Sequence, residues 1–412
     1  MSATRDLDRS PFSRRTCVSD LGVPAEATNA LSRAVDLARL RASSGEGAAL
    51  LDLTMSNPTA AELPYDAEAI ARALATPRAL LYEPDALGLP SARQVVADEY
   101  TKSGIELESS RVAITSSTSE AYAVLFKMFC DPGDEVLVPV PSYPLLAWLA
   151  AFEGVTLRTY PLEYAGRWHV DLGAVARAIG PRTRLIVVVS PNNPTGSFLG
   201  KEELEGMLDL GVPIVSDEVF ATYPLGTSGR VPEDRVDTAL RARRGLVFSL
   251  SGLSKLAGLP QMKLGWIACG GDADRTSEAL ERLSTVLDAY LSVGAPVQHA
   301  LPELLRAGKT TSDAIRARTR ANLAVVRDVA RRAPAMSVLD VEGGWYATLR
   351  VPETLSDEEW ALRLVEDDGV YVHPGYFFDM TRGAHLVVSL LTPEPQLREG
   401  MERLAARLER EA

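Results

Sequence analysis

Cysteine is scarce: Cys17, Cys130 and Cys269 are the only three in 412 residues. Three thiols cannot build a disulfide scaffold, and a chain of this length buries enough apolar surface to need none. That usage leans toward a reducing compartment. Long hydrophobic runs are missing too. The most apolar stretches, such as Leu185 to Val189, are strand-sized, well short of the roughly 20 residues that span a bilayer. The opening MSATRDLDRSPFSRR carries charges with no apolar segment behind them, so the expectation is no secretory signal, no membrane partner and a cytoplasmic protein. Positive charge is not in excess: 43 Lys and Arg against 55 Asp and Glu leave a formal charge of −12, which argues against a nucleic-acid partner. The four histidines, His169, His299, His373 and His385, are scattered. No cluster at metal-ligand spacing accompanies them, and no metal site is expected. Neither GxGxxG nor GxxxxGK with a following Ser or Thr occurs after a strand, which removes a nucleotide-binding α/β enzyme.

What the sequence does hold is short apolar strands alternating with helices. The pattern predicts strands at Val112 to Thr115, Glu135 to Val140, Leu185 to Val189, the VPIVSD segment, LVFSL and GWIAC, with a helix starting near Thr118 and running to Phe129. Buried, non-alternating strands separated by helices indicate an α/β fold with a mostly parallel sheet covered on both faces. From Ser337 the order changes to strand, turn, strand, helix and two more strands, an α+β module. The expected organisation is an N-terminal arm over 1–49 that joins the small domain, a large domain over 50–290 and a smaller C-terminal domain over 291–412.

Four local patterns sit just after predicted strands, where open α/β sheets place ligands. Ser117, Thr118 and Ser119 open a helix, a phosphate nest or an ordinary cap. SPNNPTG (Ser190 to Gly196) is a rigid turn that can aim an Asn side chain at a ring hydroxyl or carbonyl. Asp217, at a buried strand end, needs a partner: a metal, an arginine or a protonated ring nitrogen. Lys255 lies among small residues in SLSGLSKLAGLPQMKLGW. It forms a Schiff base if its amine is deprotonated, or else faces solvent.

Taken together, NNPTG, DEVF and SGLSK closely resemble the fold-type-I pyridoxal-phosphate (PLP) enzymes, specifically the class I/II aminotransferase family, over about 50 to 395. The resemblance implies a PLP-transferase fold, pyridoxal 5'-phosphate as cofactor and a homodimer with shared active sites. It implies an amino donor and a keto acceptor as small-molecule partners. The roles it implies are these: Lys255 forms the internal aldimine and serves as the base that moves the α-proton. Asp217 pairs with the pyridine nitrogen, and Asn193 bonds to the ring oxygen O3′. Ser117, Thr118, Ser119, Ser254 and Lys263 hold the phosphate. Tyr143 stacks on the ring, and Tyr82, ahead of PDALGLPSAR, reaches the neighbour's phosphate across the dimer. Arg93 in that block is structural. The SNPT loop, with Asn57, lies on the substrate side.

Three positions depart from the family pattern. Lys263 stands where an arginine is usual, and Phe220 replaces a tyrosine that donates to O3′. Val387, in AHLVVSLL, falls where an arginine clamps the substrate α-carboxylate; an aliphatic side chain cannot form that ion pair. Arg382 or Arg350 takes over the role, or the substrate lacks an ordinary free α-carboxylate. Trp345, Tyr346, Tyr376, Phe377 and Phe378 line a substrate pocket or pack as core. The expected activity is PLP-dependent amino transfer between an amino acid or amine and a keto acid. The alternatives are a lyase, decarboxylase or racemase on the same scaffold, or a non-catalytic binding module.

Overall fold

The computed structural model describes residues 14–16, 30–45, 49–226 and 228–411. Cys17 and most of the N-terminal arm lie outside the described residues. A two-residue strand, β1 (Leu51–Asp52), precedes the central sheet of β2 (Val112–Thr115), β3 (Glu135–Val140), β4 (Thr156–Tyr164), β5 (Trp168–Val170), β6 (Thr183–Val189), β7 (Ile214–Asp217), β8 (Leu246–Gly252) and β9 (Gly265–Gly271). Their order across the sheet is β2-β9-β8-β7-β6-β3-β4-β5. The pairs from β8 to β4 are parallel. β9 runs antiparallel between β2 and β8, and β5 turns back on β4.

The strands lack polar alternation because both faces are covered. Val136, Val138, Leu185 and Val187 point into one apolar layer, with Leu125 and Phe126 of the helix Thr118–Phe129. Leu137, Ile186 and Val188 point into the other, with Leu204 and Met207 of the helix Lys201–Asp209. The two-residue strand period sends neighbours to opposite faces, and each face meets helices.

The C-terminal layer contains β10 (Ser337–Val338), β11 (Tyr346–Val351), β12 (Val370–Tyr371), β13 (His373–Pro374) and β14 (Ala384–Ser389). The four strands β10-β11-β14-β13 form one antiparallel sheet. The protein therefore has a large mixed α/β domain with a mainly parallel sheet and a smaller C-terminal α+β domain.

Three sequence expectations change here. The stretch Val370 to His373 reads as one strand but splits: β12 pairs in parallel with β1, while β13 pairs with β14. β1 therefore belongs with the C-terminal layer, and Leu53 is buried in the same core as Trp360, Leu386 and Leu404. This places residues 51–53 outside the large domain that the sequence starts at 50. The third change concerns the segments LPELLR and SDAIRARTRANLAVVRDVARR, two helices by sequence. They form one helix of 38 residues, Ala295–Arg332, with Pro302 inside it. A proline at that position forfeits one backbone hydrogen bond. Burial of Ala300 and Leu301 before Pro302 and of Leu304 after it, against Leu89 and Val96, holds the segment in line. Further along, Leu323, Val326 and Val329 enter the C-terminal core, so this helix spans both domains rather than beginning the second.

Candidate functional site

The carboxyl ends of β2, β3, β6, β7 and β8 converge on a cleft of ≈ 520 Å³ between the two domains. Ser117 follows β2, Tyr143 follows β3, Asn193 follows β6, Asp217 ends β7, and Ser254 and Lys255 follow β8; all six line the cleft, with Thr118, Ser119 and Lys263.

One end gathers a helix N-terminus, small hydroxyls and Lys263. Ser117 caps the helix Thr118–Phe129, its hydroxyl accepting from the Glu120 N–H at 3.1 Å. The Glu120 carboxylate accepts from the Ser116 N–H at 2.6 Å and from the Ser292 hydroxyl at 2.8 Å. The Ser117 side chain thus acts as a cap, and the helix end, whose first N–H groups have no intrahelical acceptor, faces the cleft. Glycine at 265 lets the backbones approach closely, because a Cβ would come to 3.1 Å from the Ser117 carbonyl carbon and the Ser251 carbonyl oxygen, tight enough that a neighbour must shift. That close approach places the β9 start, with Lys263 just before it at φ +50°, beside the helix end.

Asp217 sits deeper. Its carboxylate accepts from the Tyr122 hydroxyl at 3.2 Å and from the Val219 N–H at 3.2 Å. Burial raises its pKa to about 6, against the lowering effect of those two donors and of Lys255. Tyr122 was not singled out from sequence. Its signal was its position one turn along the helix that starts at Thr118, on the same face.

Lys255 belongs to a single helical turn, Leu253–Leu256. Its Nζ lies 4.8 Å from the Trp345 ring centroid and 5.7 Å from that of Phe220. Burial lowers its pKa to about 8, partly opposed by Asp217. About a tenth of the amine is then neutral at pH 7, roughly 300 times the fraction of an ordinary lysine. Acetic anhydride labelling, read by peptide mass spectrometry, is expected to modify Lys255 with a midpoint near pH 8; a midpoint above 10 contradicts this environment. Tyr223, three residues past Phe220, does not restore the missing hydroxyl to the cleft. It donates to the Lys255 backbone carbonyl at 2.5 Å.

Asn193 is buried, and its Oδ1 has no partner. Its loop is clamped by the C-terminal domain: the Glu342 and Gly343 N–H groups donate to the Gly196 carbonyl, and the Glu342 carboxylate accepts from the Phe198 N–H at 2.8 Å. Arg167 and Arg235 hold Glu342 in turn, at 2.8 and 3.0 Å. Glu342 was missed because its partners are more than a hundred residues away.

Other expected residues lie elsewhere. Asn57 caps the short turn Pro58–Ala60, its Oδ1 accepting from the Thr59 N–H and hydroxyl, and Thr54 and Ser56 of that loop line the cleft instead. Arg382 is exposed and reaches only toward Glu163, at 3.8 Å. Arg350 lies over the Tyr164 ring, 5.7 Å from its centroid. Neither arginine lines the cleft, which corrects their assignment as carboxylate clamps. Tyr82 is 82% exposed and borders a separate groove with Leu89 and Leu291. Arg93 is structural, bonding the Gly88 carbonyl and Asp85. Among the aromatics, Tyr346, Phe377 and Phe378 line the cleft, Trp345 packs behind Lys255, and Tyr376 is not among the lining residues. His373, not foreseen, stacks on Phe377 with ring centroids 5.0 Å apart and 5° between planes. No group of His, Cys, Asp and Glu able to hold a metal occurs among the described residues, and no described helix is long and apolar enough to cross a membrane.

The residues present fit pyridoxal phosphate. The glycine-lined helix end beside Lys263 suits the phosphate, the unpartnered Asn193 Oδ1 can accept from a ring hydroxyl, and the buried Asp217 carboxylate suits a protonated ring nitrogen.

The family model "Aminotransferase class I and II" matches residues 48–404. An alanine aminotransferase of Mycobacterium tuberculosis is 28% identical over 386 residues, covering 89% of this chain and 86% of the relative. An LL-diaminopimelate aminotransferase of Desulforudis audaxviator is 28% identical, covering 87% and 90%. Human tyrosine aminotransferase is 26% identical, covering 86% and 80%. Among solved structures, an alanine aminotransferase from Pyrococcus furiosus superposes with a TM-score of 0.82 at 24% identity, covering 97% of this chain and 100% of that one. An aminotransferase from Mycobacterium tuberculosis does so with 0.81 at 23%, covering 98% and 100%. At these identities the structural likeness speaks to the fold.

Proposed function

The chain belongs to the class I and II aminotransferase family, and from that premise we propose that it is a PLP-dependent aminotransferase. The observation that carries this reading is the placement of Lys255, Asp217 and Asn193 on successive strand ends around one cleft, with the Lys255 amine held at about pKa 8. The relatives' names span alanine, tyrosine and LL-diaminopimelate, so they do not choose a donor.

When bound, pyridoxal phosphate supplies an electron sink for charge developing at the carbon that bears the substrate amine. Ser117, Thr118, Ser119, Ser254 and Lys263 would hold its phosphate, Tyr143 would cover one ring face, and Asn193 would bond to the ring oxygen. Asp217 holds a proton at the pyridine nitrogen: its carboxylate is mostly ionised at pH 7 and is oriented by Tyr122 and Val219. The Lys255 amine is the attachment point, and when released it is a base of suitable strength within the cleft. It would take the proton from the substrate carbon and return it on the same side to the cofactor carbon beyond the bridging nitrogen, a short reach that a single tethered amine can make without diffusing. Lysine at 263 neutralises phosphate as a point charge rather than a planar fork.

The test is reciprocal product formation. PLP-loaded protein given a donor panel and a carbonyl acceptor is expected to produce new amine and new carbonyl in a 1:1 ratio. Carbonyl and free ammonia without a new amine points to lyase-type chemistry instead.

We further propose a homodimer with shared sites. Leu80, Leu81 and Tyr82 follow one another and are 88%, 56% and 82% exposed on one chain, a run of exposed apolar side chains that suits burial against a second chain. Mixed dimers carrying Tyr82→Phe and Lys255→Ala test the cross-subunit role. The sole working site is expected to lose phosphate affinity about 10-fold only when Tyr82→Phe is on the opposite chain from its Lys255. An affinity indifferent to that arrangement removes the role.

A further inference from the structure

The cleft is chemically divided. Its serines, Thr118 and Lys263 gather at the helix end. On the C-terminal-domain side the wall is Phe220, Tyr346, Phe377 and Phe378 with His373. Among the described residues no arginine lines it, and its only cations are Lys255 and Lys263. Both have other duties on the aminotransfer reading.

What lies behind the wall is apolar as well. Val387 on β14 is fully buried, paired across the sheet with Thr348 and His373. It packs in one cluster with Phe220, Trp345, Tyr346 and Phe378. Arginines that reach the edge of this cluster are committed to backbone. Arg318 donates to the carbonyls of Ala61 and Leu391 at 3.1 and 3.3 Å. Arg316 donates to the Thr222 carbonyl at 3.0 Å and pairs with Asp313. His373 is no substitute cation, because burial lowers its pKa to about 4 and it is neutral at pH 7. A carboxylate pressed against this wall would lose its hydration without gaining a charged partner, which strongly disfavours it. An aliphatic or aromatic group there gains by burial.

We propose that the amino donor is a primary amine with an apolar substituent, aromatic or branched aliphatic, and no carboxylate on the amine-bearing carbon. Because both half-reactions use one cleft, the acceptor is an aldehyde or ketone of the same class. The donor's C–N bond is exchanged for C=O with water supplying the oxygen, while nitrogen and two electrons pass to the cofactor's carbonyl carbon. No further oxidant is needed. The proposal rests on the aminotransfer reading for the fate of the nitrogen, and on the wall for the choice of substrate.

The experiment uses pairs that differ only by the carboxylate: 2-phenylethylamine against phenylalanine, and 3-methylbutylamine against leucine. PLP-loaded protein is titrated with each, and the shift of the visible cofactor band gives an apparent Kd. The amine of each pair is expected to bind at least about 10-fold more tightly. Equal or tighter binding of the amino acid, or no response to any amine, overturns the proposal. Calorimetry with 3-phenylpropionate and 3-phenyl-1-propanol gives a readout free of turnover. The alcohol is expected to bind at least as tightly, and a carboxylate preference overturns the proposal. Chromatography of the released cofactor separates the two readings. Amine-selective binding without pyridoxamine phosphate upholds the substrate class and removes aminotransfer. Pyridoxamine phosphate formed only with the amino acids does the reverse.

Discussion

Lys255→Ala is expected to lower turnover by about 10⁴-fold or more, because one amine both anchors the cofactor and moves the proton, and a positioned acid–base group alone contributes up to about 10⁴. Borohydride treatment of the loaded wild-type protein is expected to fix the cofactor covalently, and the tryptic peptide bearing it should contain Lys255. The variant should retain no fixed cofactor. The fold should survive, since Lys255 Nζ makes ring contacts but no ion pair with Asp217 close enough to count as a salt bridge. Removing a buried, partly protonated amine relieves a cost. Between pH 8 and 10.5 the unfolded chain binds more protons at this lysine than the folded chain does, so its contribution disfavours folding at lower pH and fades as pH rises through that window. The cofactor-free variant should therefore be at least as stable as the cofactor-free wild type at pH 7. Covalent cofactor on another lysine of the variant contradicts the assignment.

Asp217→Asn is expected to cost about 10²–10³-fold in turnover, the scale of removing one preorganised electrostatic partner. Its effect on stability has the opposite sign. The folded-state pKa of Asp217 is raised from 3.8 to about 6 by burial. The stabilisation associated with the protonated carboxyl is complete below 3.8 and lost as pH rises through 6. Above pH 6 the ionised group is a net cost, reduced by the Tyr122 and Val219 donors. The asparagine variant of the cofactor-free chain is expected to be more stable by about 1–3 kcal/mol at pH 7.5 and to match wild type near pH 4. Denaturant melts at the two pH values check this. Lower stability at pH 7.5 with activity retained contradicts both the buried-carboxylate account and the pyridine-nitrogen role.

The legible parts of the structure were those in which one local rule sufficed. β2, β3 and the helix Thr118–Phe129 lie where apolar runs, a DPGD turn and a serine cap place them. The large domain with a smaller α+β domain followed from strand–helix alternation and its change near Ser337. Lys255, Asp217, Asn193 and the serine nest fall in one cleft because each directly follows a strand of one sheet. Distant partners decided the rest. Short strands at β1 and β12 are legible, but their parallel pairing with each other, across most of the chain, is not a local signal. LPELLR and SDAIRARTRANLAVVRDVARR read as two helices until the segment is seen packed as one, with Pro302 inside it. Asn57 and Arg382 are of the right chemical type, yet a local turn claims the first and solvent the second. His373 reaches the cleft from a strand whose register no local pattern announces.

The central claim is that this cleft transfers an amino group to the cofactor. The most direct measurement is a single turnover: PLP-loaded protein, a stoichiometric donor, no acceptor, then quantification of the released cofactor. The account predicts that pyridoxamine phosphate appears in a 1:1 ratio with the donor-derived carbonyl product, and that Lys255→Ala yields neither. Donor consumed while all cofactor remains pyridoxal phosphate contradicts it.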